Sequence, residues 1–194
     1  MRQEKDVFGN TMAKKHFDQP GILVVDDSPI TLQSLTMVLT NFGYRVLTAE
    51  SGHAAMEVLK TNLPDLIILD IDMPQPDGYK ICSWIKENSA TRDIPVIFLS
   101  GLEETFDIVK GFNAGANDYM VKPIATDELL IRVKTILSFT AKYKEIQERN
   151  KVLAAENERL LQNEARINAR VAELEQKLHL KGSKQQRSGK EIHS

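Results

Sequence analysis

The chain has 194 residues, 42% of them apolar, with 25 Lys/Arg against 27 Asp/Glu and a net charge of −2. That length suits one ordinary α/β domain with an appendage, and the apolar share excludes a wholly disordered chain. Residues 1–137 carry 13 basic against 19 acidic side chains, and residues 138–194 carry 12 against 8. The acidic front argues against nucleic-acid binding by a globular part, and the basic excess of the tail is too thin for a DNA-binding arm.

The first twenty residues mix Lys, Arg, Asp and Glu and lack the apolar run of a signal peptide; residues 1–18 are expected to be flexible. Ile22-Leu23-Val24-Val25 then opens a series of five short apolar runs, rich in β-branched residues, that read as strands buried on both faces. Ser28-Pro29 offers an N-cap followed by proline at the first helical position. The helix it starts shows Leu32, Leu35, Val38, Leu39 and Phe42 on an apolar face, and Gly43 stops it. A second strand is expected at Tyr44-Arg45-Val46-Leu47 and a helix over 52–60. A third strand follows at Leu66-Ile67-Ile68-Leu69, with a helix over about 78–87. That helix holds Cys82, the only cysteine, which excludes an intramolecular disulfide and is expected to be a buried, inert thiol. The fourth strand is Val96-Ile97-Phe98-Leu99, followed by a helix over 103–113, and the weaker fifth is Tyr119-Met120-Val121. Thr126-Asp127-Glu128 begins a fifth helix with acids near its positive end.

Five strands alternating with five helices make a (βα)₅ doubly wound parallel sheet. Sites in such sheets lie beyond the carboxyl ends of the strands. There the sequence places Asp26-Asp27 after the first strand, Asp70 after the third, Ser100 after the fourth and Lys122-Pro123 after the fifth. Crowded carboxylates repel and call for a cation. An oxygen-only donor set with no His or Cys beside it suits Mg²⁺; the four histidines (16, 53, 179, 193) are scattered. A carboxylate, a hydroxyl and an ammonium around a divalent cation can serve phosphoryl transfer, with Asp70 as nucleophile, Lys122 pairing with a phosphoryl oxygen and the Ser100 hydroxyl donating to another.

Taken in order, Leu23-Val24-Val25-Asp26-Asp27-Ser28, Asp70-Ile71-Asp72-Met73-Pro74 with Asp77-Gly78, Ser100-Gly101 and Tyr119-Met120-Val121-Lys122-Pro123 resemble the receiver domain of two-component response regulators over about residues 20–138. The resemblance implies a flavodoxin-like sheet of order 2-1-3-4-5. It implies Asp70 as phosphoacceptor from a sensor histidine kinase or phosphotransfer protein. Asp27 would be a direct Mg²⁺ ligand, Asp26 would act mostly through water, and the Asp72 backbone carbonyl would complete the shell. Ser100 would be the switch hydroxyl, Tyr119 the switch aromatic turning inward, Lys122 the phosphate-pairing lysine, and Pro123 a cis proline. Two departures stand out: a carboxylate at Asp72 where the side chain is often neutral, and Pro76 in the loop after the site. Two other readings fit parts of the same pattern. Asp70-Ile71-Asp72 also resembles the nucleophile motif of haloacid-dehalogenase-type phosphohydrolases, but Pro74 stands where that motif wants Thr or Val, and the acidic pair comes first rather than late. The other alternative is a receiver that is never phosphorylated and serves as a dimerisation scaffold.

From Ile124 to Lys181 there is neither glycine nor proline. The helix so defined is too long to pack wholly on a small domain, so the receiver is expected over 19–138 and a coiled-coil helix over 139–180. A disordered tail is expected over 181–194. Phe139, Ile146, Leu153, Leu160, Ile167 and Leu174 recur every seven residues, and Tyr143, Asn150, Asn157, Glu164, Val171 and Leu178 form the stripe four residues on. Taken as d and a positions, they make a seam with a polar centre, suited to a moderately stable parallel homodimer through residues 139–178. Arg170 and Glu175, at g and e, would form one interchain pair. The arrangement resembles the connectors of diguanylate-cyclase-type regulators. The coil is then either itself the output or a lead to a further segment, with an unknown downstream partner. No direct DNA binding and no membrane span are expected, and the location is expected to be cytoplasmic.

Overall fold

The computed structural model describes residues 19–101 and 105–188, with side chains at 105–108 and 178–188 excepted. The expected flexible segment 1–18 and residues 189–194 lie outside the described residues. The element order is β1 (Gly21–Val25), α1 (Pro29–Asn41), β2 (Arg45–Ala49), α2 (Gly52–Thr61), β3 (Leu66–Asp70), α3 (Gly78–Glu87), β4 (Val96–Ser100), α4 (Thr105–Asn113), β5 (Asp118–Val121) and α5 (Thr126–Ser188). The strands form one parallel sheet in the order β2-β1-β3-β4-β5, the order expected.

Alternation along the strands divides the core. Leu23, Val25, Ile67, Leu69 and Phe98 point to one face, where α2 and α3 cover them with Ala55, Leu59, Ile81, Cys82 and Ile85. Ile22, Val24, Ile68, Ile97 and Leu99 point to the other, against Leu32, Leu35 and Leu39 of α1 and Leu129 and Val133 of α5. Burial on both faces is why β1, β3 and β4 read as unbroken apolar runs. Burial also pushes the Cys82 thiol up to about 11, so it stays protonated and unreactive.

β2 departs from the expectation of a doubly buried strand. It is an edge strand, with Arg45 and Thr48 exposed. It also starts one residue later than expected and runs two residues further. The Tyr44 N–H still closes α1 by donating to the Leu39 carbonyl at 3.1 Å, so the ladder begins only at Arg45, opposite Gly21. Phe42 is likewise exposed rather than part of the α1 core face, since it is the C-cap beyond the last helical turn. Gly43, at φ 86°, provides the left-handed turn that ends α1.

Each cap aims a helix at the carboxyl edge of the sheet. The Ser28 hydroxyl accepts from the Thr31 N–H at 3.4 Å ahead of Pro29, Ser51 caps α2 at 3.1 Å and Asp77 caps α3 at 2.9 Å. Gly78 is required by crowding: a Cβ there would collide with the Asp70 carbonyl oxygen and the Ile71 Cα. Only glycine lets α3 begin that close to the end of β3. At the start of α5, Arg132 reaches both Asp118 oxygens at 2.8 and 2.9 Å and Glu128 at 2.9 Å, holding the helix to β5.

The chain divides into two compact units at Thr140. α5 continues to Ser188, so residues 181–188 are helical where a disordered tail was expected, and Gly182 does not end the helix. Within the second unit, Tyr143, Ile146, Leu153, Leu160, Ile167, Val171 and Leu174 of the two heptad stripes are 47–64% exposed. The Leu178 side chain lies outside the described residues. Arg170 bonds Glu173 of its own helix at 2.5 Å, so an interchain bond to Glu175 would have to compete with it. Among the described residues, no helix is long and apolar enough to cross a membrane.

Candidate functional site

Asp26 follows β1 and remains in the ladder through its N–H, which donates to the Ala49 carbonyl at 3.2 Å. Asp70 is the last residue of β3, paired in register with Leu99. Ser100 ends β4, and its carbonyl accepts from the Lys122 N–H at 2.7 Å, which ties the end of β5 to it. The parallel sheet therefore delivers all five expected residues to one rim. Asp26, Asp70 and Ser100 are almost wholly buried there, at 0, 2 and 1% exposed, and Asp27 faces solvent.

Carboxylate oxygens of Asp26, Asp27 and Asp70 lie within 4.8 Å of one another. At that separation and an effective dielectric of about 20, each pair of charges repels by roughly 3 kcal/mol. Lys122 opposes this. Its Nζ stands 2.9 Å from Asp26 Oδ2 and 3.0 Å from Asp70 Oδ1. The lysine expected to pair with an incoming phosphoryl oxygen here shares its ammonium between two carboxylates of its own chain. Burial raises the Asp70 carboxyl above the ordinary value, and the Lys122 hydrogen bond and charge offset only part of that. For Lys122, burial works to lower the ammonium, but its hydrogen bonds to Asp26 and Asp70 prevail and the net direction is up. The tie is therefore complete below the ordinary lysine value and is lost as pH rises through the elevated one.

The two members of the acidic pair are spent differently. Asp26 accepts from the Ser28 N–H at 2.9 Å through one oxygen and from Lys122 through the other. Asp27 is exposed, with a carboxylate oxygen within reach of the other two. Three converging carboxylates fit a hard divalent cation such as Mg²⁺, with no softer ligand in the set; this is the one such cluster among the described residues.

Tyr119 is already buried, at 9% exposed, in the cluster that contains Phe98. An inward turn of this ring on activation is therefore not needed to bury it, and any switch would be a rearrangement inside that cluster. The Lys122–Pro123 bond is cis, as the resemblance implied, and Gln75–Pro76 is cis as well.

Several residues beside the rim escaped the sequence reading. A cleft of about 320 Å³ is lined by Ile71, Asp72, Asp77, Tyr79, Ser100 and Lys110 among others. Lys110 of α4 sets Nζ 3.9 Å from the centroid of the Tyr79 ring, whose edge packs on Phe98 at 5.4 Å. The Asp72 side chain accepts from the Gly101 N–H at 3.2 Å. No periodicity marks such contacts, because each joins two connections far apart in sequence. The Asp77-Gly78 pair was the one local signal that the cleft was near.

A family model described as the response regulator receiver domain matches residues 22–134. The chain is similar to the "Probable transcriptional regulator ycf27" of Cyanidium caldarium, 42% identical over 124 residues, which cover 64% of this chain and 49% of that protein. It is similar also to the DNA-binding dual master transcriptional regulator RpaA of Synechocystis, at 34% identity over 69% of this chain and 56% of the relative. The response regulator PleD of Caulobacter vibrioides matches at 37% identity over 66% of this chain and 28% of its own length. The chain thus spans about half the length, or less, of these curated relatives. Among solved structures, the receiver domain of the Francisella response regulator 1452 superposes with a TM-score of 0.59 at 32% identity, covering 63% of this chain and 99% of that one. The signal receiver domain of an HD domain-containing protein from Pseudomonas fluorescens Pf-5 gives 0.60 at 28% identity, covering 64 and 98%. With its sheet order, its acidic rim and this match over more than half its length, the chain belongs to the response regulator receiver domain family.

Proposed function

We propose that the chain is the phosphoaccepting element of a phosphorelay, taking a phosphoryl group onto Asp70 from a sensor histidine kinase or phosphotransfer protein. The observation that carries the reading is the Lys122 ammonium held between Asp26 and Asp70, with Asp27 completing the acidic cluster. In the transfer, an Asp70 oxygen bonds to phosphorus as the phosphorus–nitrogen bond of a phosphohistidine breaks, and the nitrogen keeps the bonding pair. Asp70 becomes an acyl phosphate, and the histidine leaves as neutral imidazole when its other ring nitrogen carries a proton during the transfer. A Mg²⁺ ion held by Asp26, Asp27 and Asp70, with the Asp72 carbonyl, would neutralise part of the charge on the transferring oxygens. Lys122 opposes the burial that raises the Asp70 carboxyl and can pass from the carboxylate to a phosphoryl oxygen. Ser100, at the end of the neighbouring strand, can donate its hydroxyl to another, and Tyr119 would report that movement in the adjoining cluster. This is signalling chemistry, with slow self-dephosphorylation at most, and the receiver motifs favour it over the phosphohydrolase alternative.

Acetyl phosphate should label the full chain at Asp70 with an acid-labile phosphate, only in the presence of a divalent cation, and Asp70→Asn should abolish the label. Full labelling of Asp70→Asn, or labelling indifferent to EDTA, would overturn the assignment, and no labelling at all would favour the unphosphorylated scaffold. Asp27→Ala should weaken Mg²⁺ binding more than Asp26→Ala, because the Asp26 oxygens are already engaged by Ser28 and Lys122.

Assembly is the second part of the reading: a parallel homodimer through residues 139–178, supported by the exposed heptad stripe. The function would then be a switch of dimer or partner interactions through the extended helix. Linkage makes the two halves reciprocal, since phosphorylation can alter dimer affinity only as far as dimerisation alters the preference for phosphoryl. A Mg²⁺–beryllofluoride mimic should change the dimer dissociation constant, or the distances between labels near Leu160 of two chains. Ser100→Ala and Tyr119→Ala should blunt that change. Identical constants and distances with and without the mimic would leave the coil a passive tether.

A further inference from the structure

Along residues 139–178 the columns beside the two heptad stripes decide which helix pairs well with this one. With Phe139 at d, the g column reads Lys142, Arg149, Glu156, Asn163, Arg170 and Lys177. The e column, from Thr140 to Asn168, is uncharged, and its one carboxylate is Glu175. The g residues are all exposed. In a parallel pair each g residue faces the e residue five positions on in the other helix. A second copy would set Lys142 against Gln147, Arg149 against Ala154 and Glu156 against Leu161. Only Arg170 meets an opposite charge, Glu175, and Arg170 is already drawn to Glu173 of its own helix, as is Lys177. Lys142, Arg149 and Glu164 enter no ion pair among the described residues. Two copies would also place Glu164 against Glu164 in the seam, between the Leu160 and Ile167 layers, with the uncharged Asn163 and Asn168 at its flanks. The stripe suits self-pairing, and the charges do not.

We propose that residues 139–178 form the seat of a different helix. That parallel partner carries acidic residues at the e positions facing Lys142 and Arg149, a Lys or Arg at the a position facing Glu164, and Asn facing Asn150 and Asn157. The inference goes beyond the homodimer reading, rests on the same heptad seam and makes self-pairing the weaker of two associations. Charge sets the choice. A basic residue opposite Glu164 replaces the repulsion of two seam carboxylates by attraction. Acidic e residues give Lys142 and Arg149 the counter-charges that neither their own helix nor a second copy supplies. The apolar a and d residues hold either partner alike, so discrimination falls to these three layers. A moderately stable homodimer is then open to exchange by mass action when the acidic helix is present.

The test uses the full chain, with a labelled synthetic peptide of residues 139–178 as the probe. In the acidic probe, Gln147→Glu and Ala154→Glu provide the e carboxylates and Glu164→Lys the seam cation. Lys142→Gln and Arg149→Gln in the same probe keep it from pairing with itself. Titrated with the full chain at low salt, the acidic probe should bind roughly tenfold or more tightly than the unaltered peptide. Each exposed pair contributes about a factor of two, and the reversed seam layer the remainder. In light scattering the complex should have the mass of one chain and one peptide. High salt should narrow the preference. In the full chain, Glu164→Gln should remove most of it while tightening the homodimer. A reversed probe, with Gln147→Lys and Ala154→Lys and Glu164 kept, should bind more weakly than the acidic one. An acidic probe that binds no more tightly than the unaltered or the reversed peptide overturns this inference and leaves the homodimer reading standing. A preference undiminished by Glu164→Gln does the same. A full chain that is monomeric and takes up neither peptide overturns the seam reading and this inference together.

Discussion

A chain ending at Ser138 should run as a monomer in light scattering, and the full chain as a dimer that Leu153→Asp takes apart. The d stripe places Ile146, Leu153, Leu160, Ile167 and Leu174 on one side of a helix whose residues there are about half or more exposed. A helix with so many polar residues has little reason to persist alone in water, where most helical stability comes from packing an apolar face. Pairing two such stripes in parallel sets Asn150 against Asn150 and Asn157 against Asn157, so each amide finds a partner. An antiparallel pair would set each Asn against a d-position Leu or Ile and leave it unmatched. An aspartate at 153 places two carboxylates in one apolar layer of the dimer. Losing the leucine contact and burying those charges costs on the order of 3 kcal/mol or more, at least a hundredfold in dissociation constant. A truncated chain that is still dimeric would move the interface onto the receiver. Glu164, opposite its own copy in the next a layer, should make Glu164→Leu tighten the dimer.

What could be read beforehand, and what could not, follows from where each residue sits. The central strands were legible because β1, β3 and β4 are buried on both faces, and continuous Ile, Leu and Val can mean little else at that length. β2 was displaced because Tyr44 is apolar yet belongs to the end of α1, while the exposed edge of the strand erases the pattern after Leu47. The carboxylates, Ser100 and Lys122 were placed on one rim because parallel strands must bring their carboxyl ends together. Their pairing was not legible. Whether an ammonium reaches a phosphoryl oxygen or two carboxylates first depends on distances of about 3 Å between strands, and on whether a phosphoryl group is there. The Asp72–Gly101 bond joins two loops of no regular period, and only the unusual carboxylate at 72 hinted at it. The tail past Lys181 is rich in residues that shun burial, which argued for disorder. Lys, Gln and Arg are nevertheless good helix formers, and one glycine did not stop the helix before Ser188.

Lys122→Met should be the most destabilising single change at the site, and a divalent cation should reverse it. The substitution keeps most of the stem and removes the charge, leaving Asp26 and Asp70, both almost fully buried, facing each other with Asp27 within 4.8 Å. Breaking a buried pair by deleting one partner costs about 3–5 kcal/mol; the lower end applies here because the Lys122 side chain is 28% exposed. For a domain of this size that lowers Tm by roughly 10 °C in EDTA. Mg²⁺ should recover much of the loss, and the Mg²⁺-induced rise in Tm should exceed that of wild type, because the cation binds a cluster with one more uncompensated charge. The pH dependence has a definite sign. Asp70 is already raised by burial, and Lys122 is what restrains it. Without Lys122 it rises further, so the folded chain holds this proton more tightly than the unfolded chain does. The cost is therefore full above the raised carboxyl value, and stability returns as pH falls from there toward the ordinary carboxylate value. A Lys122→Met chain as stable as wild type in EDTA at neutral pH would mean that water, not the ammonium, keeps these carboxylates apart. The site would then meet an incoming phosphoryl group with its lysine uncommitted.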